Sequence, residues 1–126
     1  MANIKIPLNV GVKIGDKTHM FVLMRELTPG DIIDAGMASE RAVETADGYI
    51  FAVSPTLMGM ECLARQIESI GDYDGVVELS DLRRFSREDF EVIQLKAENL
   101  DQAVLEAVMH RGRPSASDDQ SGTADD

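Results

Sequence analysis

Three kinds of side chain in this sequence could carry chemistry: the single thiol of Cys62, the imidazoles of His19 and His110, and carboxylates that recur in pairs. A thiolate nucleophile needs a base within hydrogen-bond reach, and the base needs an orienting acceptor, so Cys62, His19 and an Asp would be the minimum set for covalent catalysis. Apolar residues at helical spacing around Cys62, however, place it inside an amphipathic helix as a small packing residue. Asp31 with Asp34, Glu40 with Glu44, and Glu88 with Asp89 offer pairs for acid–base work. Such work needs surroundings that drive two pKa values apart, and helix capping or a solvated face accounts for each pair without it. No catalytic residue is assigned, and the chain reads as a non-enzyme.

Metal and cofactor chemistry fares no better. His19, Cys62 and His110 lack the short ligand spacings of a metal site. Asp72-Tyr73-Asp74-Gly75 opens like a calcium loop, but the ligands due at its fifth and twelfth positions are not met, so a plain turn is expected. Neither the phosphate-cradling Gly-x-x-x-x-Gly-Lys nor the dinucleotide Gly-x-Gly-x-x-Gly occurs. No metal and no cofactor is expected. There remains a methionine set, Met20, Met24, Met37, Met58, Met60 and Met109, whose flexible thioethers suit either core filling or an adaptable surface for apolar partners.

The elements that position these residues follow from composition and pattern. The 126 residues suffice for one core, and a net charge of −11 argues against a phosphate-binding surface, hence against nucleic acid as a partner. One cysteine allows no internal disulfide, which suits a reducing cytoplasm. The longest apolar runs are five residues, too short for a membrane span, and no export signal is expected at the start. From Ile4 to Ile14 every even position is apolar, the period of a half-buried strand, with Pro7 favouring a sheet edge. Gly15-Asp16-Lys17 turns the chain into a second strand, Thr18 to Arg25, giving a hairpin.

Thr28-Pro29-Gly30-Asp31 is a helix start: a hydroxyl to accept an orphan N–H, Pro at the first position, and a carboxylate to return a bond. It opens a short helix from Pro29 toward Ala38. Tyr49 to Val53 fits a strand or a helical turn equally. Ser54-Pro55 starts a second helix, whose apolar positions Leu57, Met60, Leu63, Ala64, Ile67 and Ile70 run to Gly71. Val76, Val77 and Leu79 suggest a short extended return, and Ser80 and Ser86 read as caps. Beyond Ser86 a long helix carries the seam Phe90, Ile93, Ala97, Leu100, Val104 and Ala107, spaced for packing against another helix. From Arg111 to Asp126 no Leu, Ile, Val, Met or aromatic residue occurs, and a disordered acidic tail is expected. The expected fold is α+β: an N-terminal β-hairpin followed by a small helical domain of three to four helices over residues 1–110, then the tail, 111–126.

In this order the elements resemble the tail assembly chaperones of Mu-like contractile-tailed bacteriophages, over about residues 1 to 109. Leu23-Met24-Arg25-Glu26-Leu27-Thr28-Pro29-Gly30-Asp31 is similar to that family's apolar-Arg-Glu-x-Thr-x-Gly-Asp junction between strand and first helix. Leu63-Ala64-Arg65-Gln66-Ile67, the Asp74-Gly75 turn, Leu79 to Leu82 and Ser86-Arg87-Glu88-Asp89-Phe90 continue the likeness. Leu27 departs from it where Pro would stand, and Gly36 to Val53 is longer and more acidic than its pattern.

The resemblance implies a non-catalytic helper in the host cell cytoplasm. It would bind the long helical tape measure protein and keep it soluble while a tail tube polymerises around it. The resemblance further implies a frameshifted longer form of the chain as a partner, and the sequence allows a homo-oligomer. Anchors for the apolar stripes of such a partner are placed at Met58, Met60, Phe90, Ile93 and Leu100, each of which could equally serve interior packing. A second class rests on charge alone: an acidic, nucleic-acid-mimicking regulator occupying a basic protein groove. Its carboxylates, however, are scattered rather than gathered in one ladder.

Overall fold

A computed structural model describes residues 3–111. β1 (Asn3–Ile14) and β2 (Lys17–Arg25) form the expected antiparallel hairpin, turning at Gly15 with φ of 64°. Then follow α1 (Pro29–Ala38), β3 (Glu40–Thr45), β4 (Gly48–Val53), α2 (Pro55–Gln66), β5 (Ile67–Ile70), α3 (Leu79–Leu82) and α4 (Arg87–Arg111). One sheet has the order β1-β2-β5, and β3 and β4 pair in a second sheet of two strands. The architecture is α+β with four helices among the described residues, as the sequence predicts. Arg111 closes α4, and the remainder of the expected tail, 112–126, lies outside the described residues.

The core lies between the three-stranded sheet, α2 and α4. Ile6, Val12, Val22, Met24, Ile70 and Ile93 are its most enclosed large apolar residues. The alternation along β1 holds at Ile6 and Leu8 but breaks at Val10, which is 56% exposed. The cause is a bulge. Pairing runs regularly to Pro7↔Phe21 and resumes at Val12↔His19, so residues 8–11 of β1 face only Met20 of β2. Extra residues in one strand re-aim side chains, and Gly11 accommodates the distortion at φ of 88°.

Three expectations need correction. The helix starting at Ser54 ends at Gln66: Ile67 caps it with its N–H on the Leu63 carbonyl and turns extended, after which Ile67 and Ile70 pair with Met24 and Val22 of β2. In a regular strand a spacing of three would put Ile67 and Ile70 on opposite faces. The register shift that skips Glu68 between Leu23↔Ser69 and Met24↔Ile67 lets both reach the core, and the strand prevails because β2 offers an open edge. Val76 to Leu79 is not a strand; Val76 is exposed, Val77 is buried, and Leu79 opens α3. The cap of α3 is Glu78, not Ser80, with the Glu78 N–H donating to Asp81 at 2.9 Å. Tyr49 to Val53, undecided in sequence, is β4, and the long acidic stretch from Gly36 contains its partner β3.

The seam of α4 buries Ile93 and Ala97 and half-buries Phe90 and Leu100, whereas Ala107 is exposed. The helix therefore leaves the core before it ends.

Candidate functional site

The strand-to-helix junction is a single network. Asp31 accepts the Thr28 N–H at 2.8 Å while its own N–H donates to the Thr28 hydroxyl at 3.1 Å, the reciprocal capping box. Arg25 donates to both oxygens of the same carboxylate, at 2.7 and 3.2 Å. The Arg25 guanidinium, with the Thr28 donors, holds the Asp31 carboxyl far below the usual carboxylate range despite partial burial. This network closes β2 onto α1 and fixes where the chain enters the segment that follows.

Asp89 performs the same service for α4. Its carboxylate accepts backbone N–H groups from Asn9 at 2.7 Å and from Val10 and Gly11 at 3.0 Å each, and its N–H donates to the Ser86 hydroxyl at 3.2 Å. Burial alone would raise its pKa, but the Asn9, Gly11 and Val10 donors together with Ser86 outweigh it and hold the group below the ordinary value. The β1 bulge thereby serves as an anion cradle for a helix N-terminus, and the start of α4 is locked to the sheet.

Beside that locked start lies an open groove of about 670 Å³ between α2, α3 and α4. Leu57, Met60, Leu79, Phe85 and Phe90 supply its apolar walls, with Arg83 and Arg87 on its lining as well. Of the five anchor residues expected from sequence, the groove brings Met60 and Phe90 together. Met58 on α2 and Leu100 on α4 are half-buried outside its lining, and Ile93 is fully enclosed in the core.

The second feature of note is the β3–β4 hairpin, which the sequence reading did not single out. Its pairs are Glu40↔Val53, Arg41↔Ala52, Ala42↔Phe51, Val43↔Ile50, Glu44↔Tyr49 and Thr45↔Gly48. Opposed residues share a face, so Val43 and Ile50 lie on one side, and Phe51, Tyr49 and Val53 on the other. Both faces are bare: Ile50 is 53% exposed on the first, and Tyr49 74% and Phe51 78% on the second. Ile33 and Met37, one turn apart on α1 and leading into the hairpin, are 62% and 69% exposed. Asp47-Gly48, a strong short-range hairpin signal between Val43 and Ile50, was the clue available in sequence.

The chemistry-bearing residues are dispersed. His19 is buried on β2 and accepts the Asp72 N–H at Nδ1, while the Asp72 side chain, in the turn after β5, pairs with Lys17 at the start of β2. Cys62 on α2 is half-buried beside Gln66 and Asp101, and burial pushes its thiol pKa up. Asp31 and Asp89 are occupied in caps, and Glu61 bridges to Arg65 at 2.6 Å. The methionines divide: Met24 is core, Met58 and Met60 are half-buried, and Met20, Met37 and Met109 are exposed. Among the described residues no group of three or more His, Cys, Asp or Glu is placed to hold a metal ion, and no helix is long and apolar enough to cross a membrane.

Comparison with known proteins gives this surface its context. A family model described as "Tail assembly protein gp41" matches residues 8–113. The "Mu-like prophage FluMu protein gp41" of Haemophilus influenzae is 41% identical over 119 residues, covering 94% of each chain. The "Probable tail assembly protein gp41" of Escherichia phage Mu is 41% identical over 105 residues, 81% of this chain and 73% of that one. The same phage's "Probable tail assembly protein FS-gp41" is 42% identical over 92 residues, 71% of this chain and 49% of that one. No solved structure matches at a significant level. The matched region spans the capped junction, the bare hairpin, the groove and the Asp89 lock, and on that match the chain belongs to the gp41 tail assembly protein family of Mu-like phages.

Proposed function

We propose that the chain is a non-catalytic tail assembly chaperone of the host cell cytoplasm that binds the tape measure protein and keeps it soluble while the tail tube assembles. The observation that carries this reading is the concentration of bare apolar side chains in one stretch. Half of the 16 large hydrophobic residues exposed among the described residues fall between Ile32 and Val53, on α1 and the β3–β4 hairpin. An isolated two-stranded hairpin is marginal in water, and clustered apolar surface marks a place where something docks. An unassembled tape measure segment presents the complementary need, an apolar helical stripe that must be covered.

The net charge of −11 supports the same reading, since a complex that carries it repels its own copies. Met58, Met60, Phe90 and Leu100 retain accessible surface and belong to the proposed binding face; Ile93 contributes by holding α4 in place. Phage Mu has two proteins that match this chain, FS-gp41 being the longer. That pairing supports a longer form of the present chain as a further partner.

The test is co-expression of the full chain with the tape measure protein of the same phage, measuring the soluble tape measure fraction at moderate salt. Solubility should rise with the wild-type chain and fall with a Tyr49→Lys/Phe51→Lys variant of unchanged thermal stability. Insoluble tape measure with the wild type, or equal solubility with the variant, rejects the reading.

A further inference from the structure

Within a chain of net charge −11, the groove between α2, α3 and α4 is an electrostatic exception. Its lining includes two arginines, Arg83 and Arg87, and no carboxylate. Among the described residues Arg83 makes no ion pair. Arg87 reaches Glu91 at 3.3 Å, but with side chains 92% and 62% exposed the pair is solvent-screened and leaves most of the guanidinium's donors available. The N-terminus of α2, capped by Ser54, also opens on the groove and adds its positive end.

From this we infer that the groove receives a helix of the tape measure protein whose apolar anchors are flanked by acidic residues, the carboxylates meeting Arg83 and Arg87. The inference rests on the chaperone reading and names the chemistry of the partner segment. The apolar walls from Leu57, Met60, Phe85 and Phe90 take the anchors, in the manner of a helix laid in a groove. The two arginines set its direction and exclude a basic segment, because charge complementarity governs partner choice more than raw affinity. The groove would thus favour partner helices flanked by acidic residues, whereas the Tyr49–Phe51 face of the hairpin, which carries Glu40 and Glu44 opposite Val53 and Tyr49, would not.

Two fluorescein-labelled, alanine-based helical peptides with identical leucine stripes, one flanked by glutamates and one by lysines, serve as probes of the full-length chain. The glutamate peptide should bind about tenfold more tightly, and the preference should reverse in R83E/R87E. Both arginines are exposed, so that variant should keep the wild-type unfolding curve. Equal binding, tighter binding of the lysine peptide, or no binding of either overturns the inference. So does a wild-type chain that is dimeric by light scattering and becomes monomeric in R83E/R87E, which would make a second copy the occupant. Tape measure solubility on co-expression is read separately: if it persists while the peptides show no preference, the groove inference alone fails. If it is lost in the wild type, the chaperone reading itself fails.

Discussion

The carboxylate of Asp89 accepts the backbone N–H of Gly11, 78 residues earlier in the chain, at 3.0 Å. With Asn9 and Val10 completing the cradle, one buried side chain fixes both the bulge of β1 and the first turn of α4. The groove wall formed by Phe90 is therefore held by the sheet as well as by its own helix.

Asp89→Asn should cost about 2–3 kcal/mol in denaturant unfolding. An amide turns its NH₂ toward backbone donors and leaves buried N–H groups without an acceptor. The acid limb should change too. The Asp89 pKa is lowered on folding, so its contribution is complete above the ordinary carboxylate value, about 4, and is lost as the pH falls from there toward the folded value. Asp31 behaves alike, held down by Arg25. The wild type should lose stability below about pH 4, and Asp89→Asn less steeply; matching slopes would assign the acid response elsewhere.

Two glycines should answer oppositely to alanine. A Cβ at Gly11 would lie 2.8 Å from the His19 carbonyl oxygen and 2.5 Å from Met20 Sδ, at a φ of 88°. The methionine can swing aside but the carbonyl cannot, and Gly11→Ala should destabilise by about 2 kcal/mol or more. At Gly36, inside α1, a Cβ meets nothing within 4 Å. Gly36→Ala should stabilise by about 0.5–1 kcal/mol. Thermal unfolding of the two variants checks both signs.

Thr28→Ala removes the hydroxyl that receives the Asp31 N–H at 3.1 Å and should lower stability by about 1 kcal/mol. An unchanged unfolding curve would mean that water replaces the cap without loss.

The junction around Thr28 was legible because every participant lies within seven residues, from Arg25 to Asp31, and capping chemistry is local. The β1–β2 hairpin and the Ser86 start of α4 were legible for the same reason. β5 was not, because Ile67 and Ile70 are spaced as on a helix and share a face in the strand only through the bulge at Glu68, which pairing with the open edge of β2 creates. The cradle of Asp89 joins residues nearly eighty positions apart, beyond any pattern in the linear chain. The candidate surface was half legible: Met60 and Phe90 were placed in it by helical spacing, but Tyr49 and Phe51 were not, since five apolar residues look alike whether covered or bare.

Cys62 should react sluggishly with a thiol reagent at neutral pH, because burial raises its pKa and reduces the thiolate fraction. Unfolding in urea should restore the rate of a free thiol. A rate in the native chain equal to that of free cysteine would contradict its half-buried position on α2.

Phe51→Ala removes a ring that is 78% exposed, so the unfolding free energy should move by less than about 0.5 kcal/mol. A larger loss would show that the ring braces the hairpin.

The cradle around Asp89 also has a topological outcome. Pro7 has no N–H, and the N–H groups of Asn9, Val10 and Gly11 are already donated to that carboxylate. A foreign strand arriving at this stretch of β1 finds no run of hydrogen-bond donors on which to zip up. The lock that positions α4 thereby also makes that flank a poor template for strand addition.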